Sequence, residues 1–87
     1  MYTCGIDVHK LILQIAIVDK YGRVVHKEVC KYTPERIIAL AYKLLKYQCK
    51  LIAMERNFST LRRGIQHIDK LFNRSLTFIY ITAEKDK

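Results

Sequence analysis

Residues 2–30, YTCGIDVHKLILQIAIVDKYGRVVHKEVC, decide how the rest of the chain reads. Asp7 closes a first apolar run. A second, Leu11 to Val18, begins after a three-residue connection, and a third, Arg23 to Cys30, follows the turn Asp19 to Gly22. Short runs rich in β-branched residues and bounded by turn residues predict a three-stranded meander with a carboxylate at its first bend. Gly22 stands where a hairpin loop wants a left-handed residue, and Asp19 is placed to cap its own turn through its carboxylate. Strand alternation puts Thr3, Gly5 and Asp7 on one face and Cys4, Ile6 and Val8 on the other, so Gly5 clears space beside Asp7.

Beyond the meander, Thr33-Pro34-Glu35 reads as a helix start, with Thr33 as N-cap and Pro34 in the first turn. Ile37, Leu40, Ala41, Leu44 and Leu45 form its apolar stripe, with Arg36, Lys43 and Lys46 elsewhere on the cylinder. Leu51 to Glu55 is a nearly continuous apolar run ending in an acid, the pattern of an interior strand covered on both faces. Asn57 and Ser59 are expected to break that strand and cap a second helix. Leu61, Ile65, Ile68 and Leu71 would face inward, and Arg62, Arg63, Gln66, Asp69 and Lys70 outward. Asn73 and Arg74 end that helix, Leu76 to Ile81 is a fifth strand, and residues 81–87 read as a loose polar tail. The order β-β-β-α-β-α-β predicts one α/β domain over residues 1–87, a mixed sheet of five strands with two helices. It is the order of the ribonuclease H-like fold, in which the first strand is central and the fourth lies parallel beside it. Asp7 and Glu55 would then share one edge of two neighbouring strands.

The balance of charge directs the search for a partner. Sixteen Lys and Arg stand against eight Asp and Glu, a net charge of +8 on 87 residues. Such an excess favours polyanions, which makes DNA, or a structured RNA, the expected partner; solubility alone is the plainer alternative. Cys4, Cys30 and Cys49 are an odd number without C-x-x-C spacing, so they read as buried thiols in a reducing compartment and not as a disulfide or zinc framework. Gln14 breaks the longest apolar run well short of a membrane span, so the expectation is a soluble cytoplasmic protein that binds no membrane.

Two acids at the ends of adjacent parallel strands repel each other, and a divalent cation removes that cost. Mg²⁺ or Mn²⁺ takes carboxylate oxygens, keeps several waters and bridges to phosphate, and paired ions of this kind catalyse phosphodiester chemistry. Asp7 and Glu55 are therefore the candidate catalytic and metal-binding residues; a solvated strand end is the alternative for each. Lys10, Arg56, Arg62 and Arg63 are the candidate nucleic-acid contacts, a solvated basic face being the alternative. His9 can touch phosphate or hydrate a turn. His26 and His67 lack metal-ligand spacing and read as surface residues. The six tyrosines are scattered and suggest no base-stacking platform.

Gly5-Ile6-Asp7-Val8-His9-Lys10 with its apolar strand, the turn Asp19 to Gly22 followed by Val24-Val25, the helix start Thr33 to Glu35, and Ile52-Ala53-Met54-Glu55-Arg56 together resemble the N-terminal catalytic domain of the DEDD transposases. That family includes the pilin-inverting (Piv) site-specific recombinases and is similar to the Holliday-junction resolvase RuvC. The resemblance spans nearly the whole chain. It implies a RuvC-like domain in which four acids bind Mg²⁺ for DNA cleavage and strand transfer, Asp7 matching the first and Glu55 the second. Arg56-Asn57-Phe58 replaces the family's Gly-containing segment, and no K-x-D-x-x-D-A pattern supplies the last two acids, Asp86 not being carried into that role. The resemblance thus leads to the expectation of the N-terminal part of a transposase, either an excised fragment or a truncated gene product, with half a metal site and no independent catalysis. A missing final helix would leave one sheet face for a homodimer to bury.

Two other classes stay open. One is a non-catalytic basic module that binds nucleic acid or a parent recombinase. The other is the actin-like ATPases and sugar kinases, which also open with G-x-D and a hairpin. Their first loop needs small residues so that backbone amides reach phosphate, and Val8, His9 and Lys10 are bulky for that role.

Overall fold

In the computed structural model, which describes residues 1–81, the elements are β1 (Tyr2–His9), β2 (Ile12–Val18), β3 (Val24–Lys31), α1 (Pro34–Lys46), β4 (Cys49–Glu55), α2 (Ser59–Leu71) and β5 (Thr77–Ile81). They build one mixed sheet in the spatial order β3-β2-β1-β4-β5. The meander β1-β2-β3 is antiparallel, whereas β1 with β4 and β4 with β5 are parallel. The expected central first strand, with the fourth parallel beside it, is found. Residues 82–87, which include most of the expected tail and Asp86, lie outside the description; Ile81 belongs to β5.

The first hairpin is tighter than expected. β1 runs through Asp7 to His9, and the turn is the pair Lys10-Leu11, both left-handed at φ 50° and 63°. Asp7 therefore stands inside the strand opposite Gln14, not on the bend. Mirror-type two-residue turns suit the right-handed twist of a hairpin, though they usually recruit Asn or Gly. The second turn is as predicted. Gly22 takes φ 81°, and Asp19 Oδ1 accepts from the amides of Tyr21 and Arg23, both at 2.9 Å.

Both helices lie on the sheet face that carries Cys4, Ile6 and Val8 of β1, Leu13, Ile15 and Ile17 of β2, and Ile52 and Met54 of β4. Thr33 caps α1, its Oγ1 accepting from the Arg36 amide at 3.3 Å, and Ile37, Leu40, Ala41 and Leu44 are buried while Leu45 is half-buried. Cys4 and Cys49 are fully buried, and burial pushes their thiols up, to about 12 and about 11; Cys30 is only partly covered.

Three expectations for the second half fail for identifiable reasons. β4 is covered on one face alone: Leu51, Ala53 and Glu55 remain half-exposed because no element of the described residues packs there. The N-cap of α2 is Phe58, with no side-chain cap, instead of Asn57 or Ser59. Leu71 is 63% exposed and Asp69 only 5%, the reverse of the helical pattern, because Arg74 turns back over the end of α2 to pair with Asp69 and to donate to the Cys49 carbonyl.

Candidate functional site

The uncovered face of the sheet is ordered in rows across the strands. Lys27, Ala16, Gly5, Ala53 and Ile79 are successive cross-strand partners and form one row. The row beyond it holds Val29, Gln14 and Asp7 on one side and Glu55 and Ile81 on the other. The hydrogen-bonded ladder of β1 and β4 stops at Gly5–Ala53, and Asp7 and Glu55 each stand two residues further along these neighbouring parallel strands, beyond the last bridged pair.

Small residues make the floor in front of them. A Cβ on Gly5 would meet nothing within 4 Å, and Ala16 and Ala53 flank it on either side. The resulting hollow of about 330 Å³ is rimmed by Asp7, Gln14, Lys27, Val29 and Ile81. Asp7 is exposed and Glu55 half-exposed, and among the described residues neither makes an ion pair. Asp7 rims the hollow and Glu55 does not; a hydrated divalent cation, which takes few protein oxygens and keeps its waters, is the ligand that such carboxylates suit by chemistry. Among the described residues no third His, Cys, Asp or Glu joins them. Of this floor the sequence marks Gly5 alone, as clearing space beside Asp7; Gln14, Ala16 and Ala53 join it only through the pairing of separate strands.

The four candidate cations follow the C-terminal ends of β1 and β4 in the chain. Lys10 is in the β1–β2 turn, Arg56 follows β4, and Arg62 and Arg63 lie early in α2. Arg56 stacks its guanidinium over Tyr80 at 4.7 Å from the ring centroid, a cation–π contact that leaves its N–H groups available. Arg62 donates to Gln66 Oε1 at 3.3 Å, and Arg63 is exposed. The first turn of α2 contains no acid, so its dipole and these arginines add their positive fields.

This architecture has solved counterparts. A Bacteroides thetaiotaomicron protein of unknown function with an actin-like ATPase fold superposes with a TM-score of 0.61 at 13% identity, over 90% of this chain and 32% of that one. YeaZ from Pseudomonas aeruginosa matches with a TM-score of 0.52 at 18% identity, over 92% of this chain and 43% of its own. An uncharacterized Pseudomonas aeruginosa protein with similarity to peptidase YeaZ matches equally, at 0.52 and 18%, over 91% and 43%. The chain thus has the actin-like, ribonuclease H-like fold, and it spans less than half the length of each of these proteins. No family model and no curated protein matches the sequence.

Proposed function

We propose that this domain is the first part of a DEDD-type transposase or Piv-like recombinase catalytic domain, in which Asp7 and Glu55 hold Mg²⁺ or Mn²⁺ against a DNA phosphate. The observation that supports this reading is that Asp7 and Glu55 stand at corresponding positions near the ends of the neighbouring parallel strands β1 and β4, neither in an ion pair among the described residues, with Gly5 and Ala53 two residues before them. The metal would polarise a phosphoryl oxygen and lower the pKa of a bound water. The chain's own part is to position: Asp7 and Glu55 offer oxygens, Gln14 stands beside Asp7, and Lys10, Arg56, Arg62 and Arg63 hold the phosphate backbone. Two carboxylates leave most of a hydrated ion's coordination shell to water, so binding is weak and strand cleavage by these residues alone is not expected.

Titration with Mg²⁺ and with Mn²⁺, followed by NMR, tests this on the wild type and on Asp7→Asn. Binding at about 1 mM or weaker, with perturbations centred on Asp7 and Glu55 and lost in Asp7→Asn, is the expected result. No perturbation well above that range would eliminate the metal reading. The second reading, a non-catalytic nucleic-acid module, rests on the cations that follow β1 and β4. Under it, DNA binding survives Asp7→Asn, needs no metal and weakens steeply with salt, and Arg56→Ala reduces the salt slope by about one.

A further inference from the structure

The two edges of the sheet differ in a way the carboxylate site does not account for. β3 carries Lys27 and Lys31 on the open face and Glu28, paired to Lys43, on the other, and its register with β2 slips between Ile17 and Val18. Charges and irregular pairing keep an edge strand from recruiting another. β5 has none of these guards. Thr77-Phe78-Ile79-Tyr80-Ile81 holds no charge and no proline, and pairs with β4 without a register shift. Among the described residues nothing pairs with its outer side, and Ile79 and Ile81 are 46% and 51% exposed.

β5 is also nearly symmetric about Ile79. Phe78 and Tyr80 flank it toward the helices, and Thr77 and Ile81 lie beside it on the open face. Inverted and laid against itself, such a strand meets its own kind: Ile79 opposes Ile79, Phe78 opposes Tyr80, and Thr77 opposes Ile81. Aromatic and β-branched pairs are those that stabilise neighbouring strands. Packing two open faces together would instead desolvate Asp7, Glu55 and Lys27, whose burial even as pairs recovers little of its desolvation cost. The geometry points to a second copy of this chain as the partner of β5, in a twofold antiparallel pairing centred on Ile79 that joins two sheets into one. All helices then lie on one side of the joint sheet, and the two Asp7–Glu55 sites point toward opposite ends of it.

Five residues per strand cover less surface than the roughly 1,200–2,000 Å² of a lasting complex, so the dimer is weak and concentration-dependent. Each copy carries +8, so added salt strengthens it. Sedimentation velocity on the wild type, from about 10 μM to about 1 mM, is expected to show the mass rising from 10.3 kDa toward twice that value and stopping there. Ile79→Lys and Thr77→Lys, both at exposed positions, stay monomeric throughout; Val29→Lys, on the open face of β3, dimerises as the wild type does. Isotope-filtered NOEs between Phe78 of one copy and Tyr80 of the other identify the register and need no variant. The inference is overturned by a wild type that stays monomeric, by a dimer lost in Val29→Lys and kept in Ile79→Lys, by NOEs of another register, or by association that passes beyond two.

Discussion

Gly64 in α2 faces Ile37 of α1 so closely that a Cβ there would lie 2.8 Å from Ile37 Cγ2. Alanine would add about 1 kcal/mol of helix propensity but force a branched core side chain to move, at a typical cost of about 1–3 kcal/mol. Gly64→Ala is therefore expected to lower the urea midpoint, and less so when Ile37 is first cut to Ala; a double-mutant cycle measures the difference. Asp69 gives the second prediction at this scale. Burial raises its carboxyl, Arg74 pulls it back, and its Oδ2 has no partner among the described residues. A carboxyl raised in the folded state favours folding at low pH and loses that contribution as pH climbs from its unfolded value through its folded one. Removing Arg74 widens that window and leaves the carboxylate bare, so Arg74→Ala should cost on the order of 3 kcal/mol at neutral pH and less near pH 4. Adding Asp69→Asn should restore much of the loss. A helical wheel could not place Asp69 indoors, because its cover comes from Arg74, beyond the end of the helix.

Among the elements, β3 and α1 are tied by one carboxylate. Glu28 Oε1 accepts from Lys43 Nζ at 2.6 Å and lies 2.9 Å from His26 Nε2. Lys43 first, then His26, holds the Glu28 carboxyl below its usual range. A depressed acid contributes stability above its unfolded pKa, near 4.3, and loses it as pH falls through the lower folded value. Urea midpoints of the wild type should drop across that acid window, and those of Glu28→Gln should change less. The effect is modest, because the pair is partly solvated. The elements themselves were largely legible, since Thr33-Pro34, Asp19 and Gly22 each carry their instruction within a few residues. The first turn was misread because Lys10 and Leu11 are poor left-handed residues, held there by the Asp7–Gln14 register and not by their own preference. The placement of Asp7 and Glu55 on neighbouring parallel strands followed from strand order alone. The floor of Gly5, Ala16 and Ala53 did not, because it arises from three strands in register and no single stretch displays it.

For the whole molecule, the parallel contact of β1 with β4 closes the core, and it joins residues more than forty positions apart. The hairpins can form locally, but burial of the central strand waits for β4, so unfolding should be cooperative about that seam. Cys4 and Cys49 lie on either side of it, fully covered, and Cys30 sits outside near the edge. Under a thiol-alkylating pulse, Cys30 should label from the folded state, and Cys4 and Cys49 together only as the seam opens. Mass spectrometry checks this; early labelling of Cys4 without Cys49 would disprove a shared opening. In a chain without tryptophan, the thiols then serve as an internal clock for ligands. Any ion or oligonucleotide that prefers the folded form should slow the inner two by 1 + [L]/Kd and leave Cys30 on its own schedule.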